Sequence, residues 1–362
     1  MSVATAPPRR VIFHPLRVAA VDSLGEDAVA VSFDVPPELS GLYAFEAGQS
    51  LTLRRVIDGR DERRSYSICA PAGAPPRIGV REVPGGLFSR WLVHEVAAGD
   101  VIDVSTPTGS FTPDPAGSGE RHVLIAAGSG ITPVLSIAAT VLRDAQSRVT
   151  LLYGNRRSTS VMFAEELADL KDAYGSRFEL VHVLSREPRE VELFSGRLDG
   201  ERIRRILQAL VPVPAVDAFW LCGPYELVVA ARQVLTDLGV DASRVHAELF
   251  HVDELPPPPV LHEEAGLAGP SSEVTVVLDG RSTTLTLPRD VPVLDAAQRV
   301  RADLPFACKG GVCGTCRAKV SHGDVDMRRN YALEADEVAN GFVLTCQSRP
   351  VSSTVTIDYD AT

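Results

Sequence analysis

Cys308, Cys313 and Cys316 fall within nine residues, CKGGVCGTC, and Cys346 follows after 29 intervening residues. No other feature restricts the chain so strongly, because several thiolates on one tight loop must face a common centre. The spacing is that of a [2Fe–2S] site, in which the loop covers one side of a small cluster and the distant cysteine completes the second iron from the other. Gly310, Gly311 and Gly314 suit this loop, since glycine adopts positive φ and lets backbone N–H groups approach the sulfides. Zinc is the rival. Structural zinc sites usually draw on two short knuckles, whereas Cys346 stands alone in FVLTCQS.

Only two further cysteines, Cys69 and Cys222, occur in 362 residues, so a disulfide framework is not expected and a reducing compartment is. The start, MSVATAPPRR, has no apolar segment of signal-peptide type, and no apolar run is long enough to cross a bilayer. These features predict a cytoplasmic chain with no membrane partner. A net charge of −11 argues against nucleic acid, whose phosphates need a basic surface.

Composition changes abruptly at HVDELPPPPVLHEEAGLAGPSS, where four consecutive prolines and four acidic residues interrupt all periodicity. This reads as a linker over 251–272. Downstream, 273–362 holds the cysteine motif. Upstream, 9–115 consists of about six short alternating segments such as AVAVSFDV and RIGVREV, separated by Gly and Pro turns, which predicts a small antiparallel β-barrel. From 116 to 250 buried strands alternate with amphipathic helices, which predicts a doubly wound parallel α/β domain.

Two stretches of the barrel carry chemistry. In RRSYSICA, Arg64, Tyr66 and Ser67 supply what a flavin dinucleotide requires: a cation for the pyrophosphate, an aromatic face for the ring system and a hydrogen bond near its reactive nitrogen. The same residues also suit an ordinary half-exposed strand. In PGGLFSRWL, Gly85 and Gly86 lead to Ser89 at the start of a helix, whose free N–H groups form a seat for pyrophosphate; a plain Gly-Gly turn is the alternative.

The next domain opens with LIAAGSGITPVLS, a buried strand running into Gly128-Ser129-Gly130 and then a helix. Thr132 is expected as its N-cap and Pro133 as its first residue. Strand, glycine turn and helix together form a dinucleotide seat. The following strands end in YGNRRSTS and SRE, where NAD-binding folds carry an acid for the ribose. Arg156, Arg157, Ser185 and Arg186 stand there instead, which favours the 2′-phosphate of NADPH over NADH. Cys222, in FWLCGP, sits where a strand reaches the ligand crevice, although a buried core thiol is equally ordinary. Cys69 reads as core.

In this order, Arg64-Ser65-Tyr66-Ser67, Gly128-Ser129-Gly130-Ile131-Thr132-Pro133, Cys222-Gly223-Pro224 and the cysteine loop resemble the ferredoxin–NADP reductase superfamily fused to a plant-type ferredoxin. The likeness covers nearly the whole chain from about Arg9. It implies FAD, a β-grasp fold for the C-terminal domain, Tyr66 and Ser67 against the flavin, and Cys222 with Gly223 and Pro224 near the nicotinamide. It also implies that Phe250, in HAELF, covers the other flavin face and that Glu248 handles protons.

Hydride arrives as an electron pair, a [2Fe–2S] centre accepts one electron at a time, and a flavin does both. The expected path therefore runs from NADPH through FAD and the cluster to the oxygenase component of a multicomponent monooxygenase. The resemblance implies a di-iron epoxidase of an aromatic acyl-CoA as the favoured acceptor and a Rieske-type ring or steroid hydroxylase as the second. A non-catalytic zinc or interaction module on a degenerate nucleotide-binding scaffold is the reading of another class.

Overall fold

The computed structural model describes residues 12–57, 60–114, 117–251, 270–301 and 303–361. The expected 115/116 junction and most of the expected 251–272 linker lie outside these residues. The chain forms two units, one within 13–251 and one within 270–361.

The first unit begins with six antiparallel strands: β1 (Phe13–Ser23), β2 (Ala28–Asp34), β3 (Ser50–Ile57), β4 (Arg60–Ser67), β5 (Arg77–Arg81) and β6 (Val101–Ser105). Their order is β4-β3-β6-β1-β2-β5, and an antiparallel bridge between Ile68 and Ile78 joins the two outer strands into a barrel. Closure removes the exposed edges that an open sheet would present. Leu16, Val31, Phe33, Leu51, Leu53 and Val104 fill the interior. One helix, α1 (Leu87–His94), follows the Gly-Gly turn and buries Phe88 and Leu92.

The same unit continues into a parallel sheet: β7 (Arg121–Ala127), α2 (Ile131–Val141), β8 (Arg148–Asn155), α3 (Ala164–Tyr174), β9 (Phe178–Leu184), α4 (Gly200–Leu210), β10 (Ala218–Pro224), α5 (Tyr225–Asp237) and β11 (Val245–His251). Strand order is β11-β10-β7-β8-β9, so the chain changes direction between β7 and β10 and opens a crevice at their carboxyl ends. Side-chain alternation explains why both faces are covered. Leu124 and Ala126 join one core with Leu151, Tyr153 and α2, while Val123 and Ile125 join another with Ile203, Ile206 and Val234 on α4 and α5. Ala28, Ala30, Cys69 and Phe111 of the barrel belong to the first of these cores, which packs the barrel against the sheet.

The second unit is a mixed sheet in the order β13-β12-β18-β14-β16, built from β12 (Ser271–Leu278), β13 (Arg281–Pro288), β14 (Arg317–His322), β16 (Phe342–Leu344) and β18 (Thr354–Asp358). Short helices α6 (Val293–Ala297) and α7 (Ala335–Ala339) and a small sheet of β15 (Val325–Met327) with β17 (Ser348–Pro350) complete it. Its fold is the β-grasp. Among the described residues no helix is long and apolar enough to cross a membrane.

Candidate functional site

Within the first unit, the end of β4 meets the end of the parallel sheet. Ser67 donates its hydroxyl to Glu248 Oε2 at 3.0 Å, and Glu248 on β11 lies in register with Cys222 on β10. Burial raises the Glu248 carboxyl from 4.5 to about 7, against the opposing hydrogen bond from Ser67. Burial, and then the Glu248 charge, pushes the Cys222 thiol well up, so it is a neutral group at physiological pH. Phe250, two residues beyond Glu248, is half-buried against the core shared by barrel and sheet.

On the neighbouring surface of the barrel, Tyr66 lies beside Phe88 of α1, ring centroids 6.3 Å apart. Strand alternation turns Arg64 and Tyr66 to one side and Ser67 to the other. Arg64 is exposed and pairs with Glu62 at 3.1 Å. The turn before α1 is shaped by Gly85 at φ +75°, by Gly86 N–H donating to Val83 O at 2.7 Å, and by Ser89 Oγ accepting from Val83 N at 3.0 Å. No side chain caps α1, and a Cβ placed on Gly85 would meet open space. The cation, aromatic face and uncapped helix end are groups that fit a flavin dinucleotide.

The glycine turn after β7 differs from its expected capping. Helix α2 begins at Ile131 with Gly130 as N-cap, so Thr132 and Pro133 are its second and third residues. Gly128 to Gly130 form a single 3-10 turn that satisfies the strand-to-helix change without a side-chain cap, and Thr132 donates instead to Ser129 O at 3.0 Å. The glycines are needed for close approach. A Cβ on Gly130 would lie 2.3 Å from the Cys222 carbonyl oxygen, and Gly223, at φ +152°, passes close to Ala127. Gly223 and Pro224 end β10 directly before α5. The N-termini of α2 and α5 thus flank the crevice, an arrangement that fits a pyrophosphate.

Arg156 and Arg186 lie just beyond the ends of the adjacent strands β8 and β9. Arg186 N donates to Arg156 O at 2.8 Å and Ser185 N to Asn155 O at 2.9 Å. Both arginines, and Ser185, are exposed, and among the described residues neither guanidinium has an ion-pair partner. The nearby acid, Glu187, accepts from Ser158 N and Ser158 Oγ at 2.8 Å each, and these bonds hold its carboxyl below the ordinary range. Sequence reasoning passed over Arg81. From β5 it donates to Ser160 O at 2.5 Å, approaches Asp27 at 3.3 Å and reaches the Gly128 turn, where an added Cβ would stand 3.2 Å from its Nη1. A single arginine in an alternating strand carries no sequence signal of that reach.

In the second unit Cys308 and Cys313 lie on the loop before β14, and the pairing of β14 with β16 sets Cys316 beside the segment that carries Cys346, with Thr345 N donating to Cys316 O at 3.2 Å. The neighbouring Cys313 thiol draws the Cys308 thiol below its ordinary range, burial opposes, and backbone N–H groups add to the lowering. Gly310 N lies 3.3 Å from Cys308 Sγ. Gly311 and Gly314 have positive φ as expected, while Gly310 does not; Lys309 takes the left-handed conformation in its place, at φ 51°, with its ammonium held by Asp295 and Gln298. Among the described residues no three His, Cys, Asp or Glu side chains are grouped for a metal ion. Four cysteines, with a backbone donor at Cys308 Sγ, are a donor set that fits a two-iron group.

Comparison with known proteins accounts for all of these parts together. Family models match an oxidoreductase FAD-binding domain over 15–112, an oxidoreductase NAD-binding domain over 124–233 and a 2Fe-2S iron-sulfur cluster binding domain over 276–351. Over 353 residues the chain is 41% identical to one component of the 1,2-phenylacetyl-CoA epoxidase of Escherichia coli (strain K12), covering 96% of this chain and 98% of that protein. The chain belongs to the FAD- and [2Fe–2S]-containing oxygenase reductases. The reductase is also 33% identical to the ferredoxin reductase component of 3-ketosteroid-9-alpha-monooxygenase of Rhodococcus rhodochrous, over 95% of this chain and 96% of that one. Its fold is that of phthalate dioxygenase reductase, a modular structure for electron transfer from pyridine nucleotides to [2Fe-2S], with TM-score 0.63 and 24% identity over 96% of this chain and 98% of that chain. As an oxygenase reductase it binds FAD, a pyridine nucleotide and a [2Fe–2S] cluster, and its partner is an oxygenase component.

Proposed function

We propose that this reductase takes electrons from NADPH and delivers them to the oxygenase component of a phenylacetyl-CoA epoxidase. The observation that carries the choice of partner is the 41% identity, end to end, with the component of that epoxidase. When bound, FAD accepts a hydride and the [2Fe–2S] group passes its electrons on singly.

The chain's own residues divide the remaining work. Arg64, Gly85, Gly86 and Ser89 hold the flavin pyrophosphate end, Tyr66 and Phe250 pack on its ring system, and Ser67 keeps a hydrogen bond at its reactive edge. Gly128, Gly130, Thr132, Pro133, Gly223 and Pro224 form the floor on which the pyridine nucleotide lies, and Arg81 supplies a cation above it. Cys222 is a neutral thiol that excludes water at the nicotinamide, and Glu248 passes a proton to and from Ser67. Arg156, Ser185 and Arg186 take the 2′-phosphate. Cys308 with Cys313 and Cys316 with Cys346 ligate the cluster, in a domain assigned to 273–362. The domains at 9–115 and 116–250 bind FAD and NADPH, and 251–272 tethers the electron carrier so that its effective concentration at the flavin stays high. A reducing cytoplasm suits both the thiolates and NADPH.

Reconstitution decides the partner. Purified reductase is mixed with NADPH and either a di-iron phenylacetyl-CoA epoxidase oxygenase or a Rieske-type steroid hydroxylase oxygenase, and product is measured. Turnover with the epoxidase alone is expected. Turnover with the hydroxylase alone would give the acceptor to the second reading, which the 33% identity to the steroid system favours.

A further inference from the structure

Behind the Cys316–Cys346 pair lies a chain of hydroxyl groups. Thr345, fully buried beside Cys346, donates both its backbone N–H and its Oγ1 to the carbonyl of Cys316, at 3.2 and 3.1 Å. Tyr359 donates its phenol to Thr345 Oγ1 at 2.8 Å. Tyr359 is itself 8% exposed, and its own N–H is tied to Val277 O on β12 at 3.0 Å. The Thr345 carbonyl accepts from Leu294 N of α6 at 3.2 Å. The segment that carries Cys346 is thereby fastened to the segment that ends at Cys316, and the fastening is completed from the end of β18.

Direction matters in this chain. Both hydroxyl protons point along the path from Tyr359 toward the carbonyl of Cys316, so their positive ends face the peptide that bears one of the ligands. Groups arranged in this way stabilise added negative charge, and a cluster that takes up one electron gains one negative charge. In a buried network each bond strengthens the next, so loss of the outer donor weakens the inner one.

We propose that Tyr359 is a positioning residue for the cluster, which acts through Thr345 to fix the Cys316 and Cys346 ligands and to hold the reduction potential of the centre up. The inference rests on the reading that the four cysteines ligate a [2Fe–2S] group. It concerns residues outside the cysteine loop, one of them 13 residues beyond the last cysteine.

The test uses the full chain loaded with iron and sulfide. Potentiometric titration followed by EPR is carried out on wild type, Tyr359→Phe, Thr345→Val, Thr345→Ser and the Tyr359→Phe/Thr345→Val double variant. Tyr359→Phe is expected to shift the one-electron equilibrium against reduction by up to tenfold, a fall of at most about 59 mV. It should also release iron to a chelator several times faster. Thr345→Val should do the same or more, Thr345→Ser should stay near wild type, and the double variant should be no worse than Thr345→Val, since the two hydroxyls act in series. Unchanged potential and iron release in Tyr359→Phe overturn the inference, as does a Thr345→Ser variant as impaired as Thr345→Val. A wild-type protein without two irons and two labile sulfides overturns the cluster reading itself, and the two failures are thereby distinct.

Discussion

Ser67 and Glu248, 181 residues apart, share a 3.0 Å hydrogen bond that joins the end of a barrel strand to the last strand of the parallel sheet. The bond exists only because barrel and sheet share a core, and it places a proton-carrying carboxyl in register with Cys222. A carboxyl raised to about 7 changes charge near neutral pH, so acid and base forms are both populated there.

Glu248→Gln is expected to separate activity from stability. In the folded protein the carboxyl keeps its proton up to about 7, whereas an unfolded chain releases it near 4.5. Stability is therefore lost as pH rises from 4.5 through 7, by on the order of 3 kcal/mol in full. The variant, which has no such titration, should be more stable than wild type at pH 8 and equal to it near pH 4.5. Its flavin-reduction rate should fall and lose the inflection near pH 7. Denaturant midpoints of FAD-loaded protein at the two pH values, with stopped-flow pH profiles, check both arms.

Arg156→Ala or Arg186→Ala is expected to weaken NADPH and spare NADH. A charge-assisted bond to phosphate is worth about 1.5–3 kcal/mol, which corresponds to roughly a tenfold to hundredfold rise in KM. Steady-state ferricyanide reduction with each coenzyme measures it. A wild type that prefers NADH, with that preference unchanged in both variants, would remove the arginines from the 2′-phosphate site.

Gly130→Ala tests the close approach of the two strand ends. The new methyl would stand 2.3 Å from a carbonyl oxygen of the backbone, which has nowhere to retreat because Cys222 is fully buried. Strain of this kind costs about 1–3 kcal/mol. Thermal unfolding read by FAD fluorescence should come several degrees earlier, and coenzyme binding should weaken. Ala at Gly85, where the space is open but φ is +75°, should cost less and leave coenzyme binding intact.

These contacts mark how far the sequence alone reaches. Cysteine spacing identifies the cluster loop, because the ligands are few and the chemistry demands them, and strand and helix periods give both sheets of the first unit. How the distant cysteine reaches the loop is not in the spacing; it arises from the pairing of β14 with β16, which sets the segment of Cys346 beside Cys316. Capping at the glycine turn was misplaced by two residues because a 3-10 turn absorbs the strand-to-helix change before any threonine is required. Arg81 and the Ser67–Glu248 bond depend on packing between barrel and sheet, which no local pattern records.

Cys346→Ser examines the order of the electron path. Purified wild type should contain two irons and two acid-labile sulfides per chain and give a rhombic EPR signal after reduction by NADPH. Cys346 is one of four cysteine ligands in this reading, so its loss leaves one iron with a single cysteine ligand and should deplete the cluster. The flavin unit and the cluster unit each have their own hydrophobic interior, so damage at this loop leaves the flavin unit's packing intact. NADPH-driven reduction of ferricyanide should therefore persist, while reduction of cytochrome c or of the oxygenase collapses. Equal loss of both would mean that the cluster is not downstream of the flavin, or that it stabilises the flavin unit. FAD-fluorescence melting distinguishes these outcomes: an unchanged midpoint rejects the serial path, and a lowered one assigns the loss to stability.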